Sequence, residues 1–146
     1  MQWSEIVTIT ISVVVGAAFV LLTIALIWSS YTISAQYRRE EKQWPQLREQ
    51  GRRSQADILG MARPPSRLTV RGRNAADMAA TELRLSFRDD MGAVHETFVL
   101  TFIDEGLLAN FTAGHKVHVV YSDATPPVVV IDRDRTQLEI PSSSTP

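Results

Sequence analysis

Polar and apolar positions divide the chain into two parts. Residues 6–28 carry no charged side chain, and a helix of that length is roughly 34 Å long, enough to cross a hydrocarbon core about 30 Å thick. The pattern therefore predicts one transmembrane helix over residues 6–28, after a short extracytoplasmic N-terminus at 1–5. Because the preceding segment has no Lys or Arg and the apolar run is too long for a cleaved signal peptide, we expect a permanent anchor.

A basic segment rich in helix-forming residues follows the predicted span. We interpret residues 29–53 as a helical stalk. Proline at position 45 disfavours a helical conformation at Trp44, so we expect the helix to kink or end there. Gly51 is a plausible cap for a further turn.

From residue 54 onward the pattern alternates with a period of two, which is typical of half-buried strands. The cleanest example is residues 81–87, where Leu83, Leu85 and Phe87 are expected to face inward. Turn residues at 89–92 predict a hairpin into a second long strand. That second strand is expected to hold Val94, Phe98, Leu100 and Phe102 on one face and His95, Thr97, Val99 and Thr101 on the other.

Short strands and short connections together predict the fold class. We expect an all-β domain over residues 54–134, a small antiparallel OB-like or SH3-like barrel of five to six strands, preceded by a single transmembrane α-helix. The tail at 135–146 is polar and bounded by proline, so we expect it to be disordered.

Charge predicts the orientation of the anchor. The chain has a net charge of −1, but residues 31–53 hold six basic and three acidic side chains. The bias of Lys and Arg toward the cytoplasmic side of a span places the N-terminus outside and the domain in the cytoplasm. We assign this topology-setting role to Arg38, Arg39 and Lys42.

One face of the predicted span is small or weakly polar, because Thr8, Ser12 and Gly16 recur every four residues. Such a pattern lets another helix approach closely and predicts self-association or docking on a partner's helix. Small residues are also common in any span, so an ordinary lipid-facing helix remains an alternative.

Catalytic and metal chemistry find little support in the sequence. There is no cysteine. His115 and His118 are three residues apart on a predicted strand, so they point to opposite faces and do not form a chelating pair. The acidic pairs lie in predicted turns, and neither a nucleophile elbow nor a phosphate-binding glycine loop is present. We expect no enzyme activity, no cofactor and no metal.

A group of arginines near the second predicted strand is the best candidate for a binding surface. A solvated strand face explains it most simply, and contact with lipid headgroups or an acidic protein is the leading alternative. Nucleic-acid binding is not expected, because no exposed aromatic side chains are interleaved for base stacking. The group comprises Arg63, Arg67, Arg71 and Arg73.

The order of motifs resembles a known bacterial family. A Gly-x-x-Val-x-Val-x-Tyr strand at 114–121 leads into a turn ending at Pro126, although Ser122 stands where that turn often has Asp. Over residues 54–133 this resembles membrane-anchored β-domain proteins grouped as a domain of unknown function. The resemblance implies a β-domain on a bacterial inner (cell) membrane and no particular activity.

These observations lead to a functional hypothesis. We expect a non-enzymatic, single-pass membrane-anchored interaction module, an accessory, regulatory or immunity-type subunit of a membrane protein complex. Its partners would be the lipid bilayer and a membrane protein, or a second copy bound through the transmembrane helix. The alternative is a β-domain that senses a lipid headgroup or a small molecule.

Overall fold

A computed structural model describes residues 3–65, 68–74 and 76–141. It comprises one long helix, six strands and one short 3₁₀-helix, and the chain divides into two compact units between Ala35 and Gln36. In chain order the elements are α1 (Trp3–Gln50), β1 (Arg52–Ala62), β2 (Thr69–Arg71), β3 (Asp77–Arg88), β4 (Val94–Asp104), the 3₁₀-helix (Glu105–Phe111), β5 (Lys116–Tyr121) and β6 (Val129–Ile131).

The first unit is the apolar part of α1. By length and composition this helix is able to cross a membrane. Its large apolar side chains from Ile11 to Trp28 are exposed throughout. Within a protein core such side chains would be covered, so their exposure fits the predicted span.

The second unit contains a curled, six-stranded antiparallel sheet that forms a half-barrel, which confirms the predicted small antiparallel β domain of five to six strands after a single helix. β3 lies at its centre, with β4 on one edge and both β2 and β1 on the other. The sheet continues from β1 through β5 to β6. β4 and β6 are therefore the two ends of the curled sheet, and they approach each other across a seam.

The core lies inside the curl. Leu83, Leu85 and Phe87 of β3 are at most 2% exposed, which confirms their predicted inward orientation. In β4 the face that enters the core is the one that holds Val99, whereas Phe98 on the other face is exposed. Apolar residues occupy both faces of this strand, and its pairing with β3 decides between them: directly opposed residues share a face, and Val99 opposes the buried Leu83.

The C-terminal part of α1 packs on the outside of the sheet. Tyr37 contacts Phe102, with ring centroids 5.7 Å apart. Leu47 is buried against Val120 and Val130. Residues 36–50 therefore belong to the β-domain, so the predicted stalk over 29–53 is not a separate segment along its whole length.

The helix also does not end at Pro45, which lies inside α1. Proline has no N–H and therefore weakens the helical turn around position 45. Packing of Leu47 on the sheet stabilises that turn. The helix instead ends before Gly51, whose N–H donates to the Leu47 carbonyl at 2.7 Å. A Cβ at Gly51 would lie 2.6 Å from that carbonyl oxygen and would also meet the Val120 side chain, so only glycine fits.

The predicted disorder of the tail is wrong for its described residues, 135–141. Leu138 is buried in the main core, and its carbonyl accepts the N–H of Asp104 at 2.8 Å. The Ile140 N–H donates to the Asp104 carboxylate at 3.1 Å. Two apolar residues among polar ones are enough to dock this segment on the end of β4. Residues 142–146 lie outside the described part.

Candidate functional site

A groove runs between the C-terminal part of α1 and the loop that joins β2 to β3. Its volume is about 620 Å³, and all of its lining residues belong to the second unit. Aromatic and apolar side chains line one part of it, and charged side chains line the other. The apolar part comprises Tyr37, Trp44, Val70, Met78 and Phe102, and the charged part comprises Arg38, Arg71, Arg73, Arg133, Glu41 and Glu139.

Two members of the predicted arginine surface lie in this groove. Arg71 ends β2 and Arg73 follows it in the loop. The Arg73 side chain is 89% exposed, and its Nη2 lies 4.0 Å from Glu41 Oε1, beyond hydrogen-bond distance. The pair therefore leaves this guanidinium available to another anion.

The other two predicted arginines do not join the groove. Arg63 follows β1, and its Nη2 lies 3.2 Å from Glu105 Oε1 at the start of the 3₁₀-helix. Arg67 lies outside the described residues. The helix and the strand ends instead supply Arg38, which was predicted only as a topology-setting residue, and Arg133, which was not predicted at all.

Local contacts hold the loop that carries Arg73. Gly72 approaches the chain so closely that a Cβ would meet the Glu139 carboxylate and would lie 2.8 Å from Met78 Cγ. The Asn74 N–H donates to Glu139 Oε1 at 2.7 Å, and its side-chain amide donates to the Ile140 carbonyl at 3.1 Å. The ordered tail thus positions one wall of the groove.

A buried carboxylate, Glu40, closes the seam between β4 and β6 beside this groove. Glu40 is 5% exposed. Its Oε1 accepts the N–H of Ile131 at 2.9 Å, and its Oε2 accepts the Thr101 hydroxyl at 3.0 Å and Arg133 Nη2 at 2.5 Å. One helix side chain thereby satisfies polar groups on both edges of the half-barrel, which a buried carboxylate requires.

The remaining part of the β4 edge stays open. β4 pairs with β3 over eleven consecutive residues without a bulge, and none of the described residues pairs with its other edge between Val94 and Leu100. Phe98 is 62% exposed and lies beside a cavity of about 270 Å³ between β4 and residues 127–129. Arg39 lines the same cavity, whereas Lys42 is simply exposed.

A polar network surrounds the β3–β4 hairpin. His95 Nε2 and Asp89 Oδ2 are 2.7 Å apart, and Asp89 Oδ1 accepts two N–H groups of the turn at 2.9 Å each. The hydrogen bond from His95 lowers the pKa of Asp89. The turn N–H groups and His95 together hold this carboxylate, so the network stabilises the hairpin. The two partners are six residues apart around a glycine turn, a spacing from which the pair was predictable.

A second part of this network holds Asp90. Arg52 Nη1 donates to Asp90 Oδ2 at 2.6 Å, and the Tyr121 hydroxyl donates to Asp90 Oδ1 at 3.0 Å. The Arg52 hydrogen bond, supported by the one from Tyr121, lowers the pKa of Asp90, while burial raises the pKa of Tyr121. β1, the hairpin and β5 are thereby joined at one corner of the half-barrel.

The predicted helix face lies on the first unit. Gly16 has no neighbouring atom within 4 Å of the position its Cβ would take, and Ser12 is exposed. Thr8 lies one turn earlier on α1, and its side chain lies outside the described part of the chain. Because the three residues are spaced four apart along one continuous helix, they lie on one face of it.

The two histidines of the β5 region lie in different surroundings. His115 precedes β5 and has its Nδ1 3.0 Å from the Thr112 hydroxyl, and His118 lies within β5. Among the described residues, no group of three or more His, Asp and Glu side chains is placed to hold a metal ion.

Comparisons with protein-family models, with curated proteins and with solved structures find no match to this chain.

Proposed function

We propose that the protein is a non-enzymatic, single-pass membrane-anchored interaction module. In this proposal α1 spans a bacterial inner membrane with its N-terminus outside, and the half-barrel lies in the cytoplasm as an accessory, regulatory or immunity-type subunit of a membrane protein complex. The apolar helix supports the anchor, and the excess of Lys and Arg after residue 37 supports the orientation. The family resemblance over residues 54–133 is part of the same proposal.

The open edge of β4 is the observation that carries the proposal. Edge strands of monomeric domains are usually blocked by proline, a bulge, a covering segment or a short length, because unpaired N–H and C=O groups recruit further strands. β4 is eleven residues long, regular in register, and exposes Phe98 beside unpaired backbone. An extended segment of a partner protein would add a strand to this edge and place an apolar side chain in the adjacent cavity.

The helix face at Thr8, Ser12 and Gly16 supplies a second contact in the proposal. A partner that crosses the membrane next to α1 would pack on this face while its extended segment binds β4. Two weak contacts on one partner strengthen each other, because binding at the first raises the effective concentration at the second.

The test is co-purification in detergent from the native membrane. We expect Phe98→Glu to release the protein that the wild type retains, because an added strand would then cover a charged side chain in place of an apolar one. Met91→Glu is the matched control, since Met91 is 91% exposed at the hairpin tip and outside the β4 cavity. Gly16→Leu tests the helix face in the same experiment. If both Phe98→Glu and Gly16→Leu retain every protein bound by the wild type, the proposed surfaces are wrong.

Orientation has its own test. A reporter active only in the periplasm, fused after Pro146, is expected to be silent. Activity of that reporter would reverse the topology and move the open β4 edge to the other side of the membrane.

A further inference from the structure

We propose that the arginine-lined groove binds a phosphate ester that carries an apolar or aromatic body. This inference is independent of strand addition at β4, which uses the opposite side of the α1 segment and other residues. It rests on the charge of the groove, on one arginine that Glu40 fixes in the groove lining and on the chemistry of the apolar wall.

The charged wall is cationic. Four guanidinium groups and two carboxylates line it. Glu139 is bonded to the Asn74 N–H, and Glu41 only approaches Arg73 at 4.0 Å. Arg38 and Arg71 form no ion pair with any residue of the described ranges. Two unpaired guanidinium groups and a third that is only loosely paired favour an anion with several oxygens at this concave surface, and phosphate provides one.

Arg133 supplies the most specific observation. Its Nη2 is bonded to Glu40, which holds the side chain in place. The Arg133 side chain still lines the groove and keeps 27% of its surface exposed, so a guanidinium fixed in position is present there. A phosphate oxygen is a suitable acceptor for its exposed N–H groups.

The apolar wall indicates what else the ligand carries. Tyr37 and Phe102 are packed together and Trp44 is half-buried, so the wall is preformed. A volume of about 620 Å³ lies within the range of small-molecule sites, roughly 300–1,000 Å³. A groove of this size and mixed lining fits a small amphiphile better than a protein surface. Two kinds of ligand combine a phosphate with an apolar or aromatic body: a phospholipid, and a soluble aromatic phosphate such as a nucleotide.

The experiment uses the full chain in phosphatidylcholine nanodiscs, with Trp3→Phe and Trp28→Phe so that fluorescence reports Trp44 alone. Three probes separate the sources: inorganic phosphate, adenosine monophosphate, and phosphatidic acid incorporated in the nanodisc. We expect a saturable change of Trp44 fluorescence with at least one organic phosphate and weaker binding of inorganic phosphate. A change with phosphatidic acid alone identifies a lipid headgroup, and a change with adenosine monophosphate alone identifies a soluble ester.

Variants assign the binding to the groove. Arg71→Gln removes one unpaired guanidinium and is expected to weaken binding about tenfold, the worth of one charge-assisted hydrogen bond. Arg84→Gln is the matched control, because Arg84 is an exposed β3 arginine that pairs with Glu96 outside the groove. In spectra of arginine side chains, the Arg133 Nε–H resonance should move on ligand addition.

Three outcomes would overturn the proposal. The first is the absence of a saturable change with all three probes. The second is equal binding by wild type and Arg71→Gln. The third is stronger binding of a polyglutamate peptide than of any phosphate, which would assign the groove to an acidic protein partner.

Discussion

Replacing Glu40 tests whether one helix side chain closes the half-barrel. Glu40→Ala removes the acceptor for the Ile131 N–H and for Arg133, both of which lie on the β6 side of the seam, and for Thr101 of β4. Ile131 and Thr101 are fully buried, so solvent does not replace the lost acceptors without opening the seam.

The magnitude follows from these contacts. Leaving a buried N–H unpaired costs about 1–3 kcal/mol, and breaking a buried ion pair from one side costs about 3–5 kcal/mol. Arg133 keeps 27% of its side chain exposed and recovers part of its solvation. We therefore expect Glu40→Ala to lower the free energy of unfolding by about 3 kcal/mol. Glu40→Gln keeps the shape and one acceptor oxygen, so its cost should be about half as large.

The assay is urea unfolding of the full chain in detergent micelles, followed by the fluorescence of Trp44 with the other two tryptophans replaced by phenylalanine. Glu41→Ala is the control, because Glu41 is the next residue, is half exposed and only approaches Arg73 at 4.0 Å. It should change stability by less than about 0.5 kcal/mol. Hydrogen exchange of the Ile131 amide adds a local readout, and we expect it to accelerate in Glu40→Ala.

Equal stability of Glu40→Ala and Glu41→Ala would refute this reasoning. So would an Ile131 amide that exchanges at the wild-type rate, since that result would mean that the amide is protected by something other than the Glu40 carboxylate.

Three further predictions concern the junction, the tail and the hairpin. Gly51→Ala should cost about 2 kcal/mol in unfolding free energy, because its Cβ meets the Leu47 carbonyl and the β5 surface, whereas Gly60→Ala, with no atom within 4 Å, should cost less than about 1 kcal/mol. Leu138→Ala should cost about 3 kcal/mol by leaving a cavity in the core, and a change within about 0.5 kcal/mol would contradict docking of the tail. The pKa of Asp90 is lowered in the folded state, so its contribution is present above the unfolded value of about 4 and lost as pH falls through the folded value. Urea unfolding at a series of pH values should therefore show a steeper acid loss for wild type than for Asp90→Asn, and parallel curves would exclude the bond with arginine as the cause.

The strands were predictable where one face is apolar and the other polar. Residues 83, 85 and 87 of β3 are apolar and alternate with polar residues, and the Asp-Asp-Met-Gly turn after them predicts a hairpin. In β4 the rule fails, because Phe98 and Val99 are adjacent and both apolar. Only the register with β3 decides which of them enters the core.

The helix contact was missed because its central residue is charged. Tyr37, Glu40, Trp44 and Leu47 are spaced by three or four residues and form one stripe along α1, which is the ordinary sign of a buried helix face. From the sequence alone, a glutamate in that stripe is expected to be exposed to solvent. Its partners lie 61 to 93 residues away in sequence, so no local pattern predicts that it is buried.

The groove was predictable only in part. Arg71 and Arg73 are visible as a local basic cluster, but Arg38 and Arg133 join them through the packing of α1 and the course of the chain after β6. The tail carried a weak signal in the apolar pair at 138 and 140, which the surrounding serines and prolines concealed.

The division between the two units within a helix has a consequence for how the protein is divided or recombined. A fragment that begins at residue 54, where the alternating pattern starts, would lack Tyr37, Glu40 and Leu47. It would expose the apolar side chains that they cover and leave the seam without its carboxylate. A different anchor joined before Gln36 would keep the roughly four helical turns on which the barrel depends. The anchor that is exchangeable for another therefore ends at Ala35, and the helix from Gln36 onward must be kept with the half-barrel.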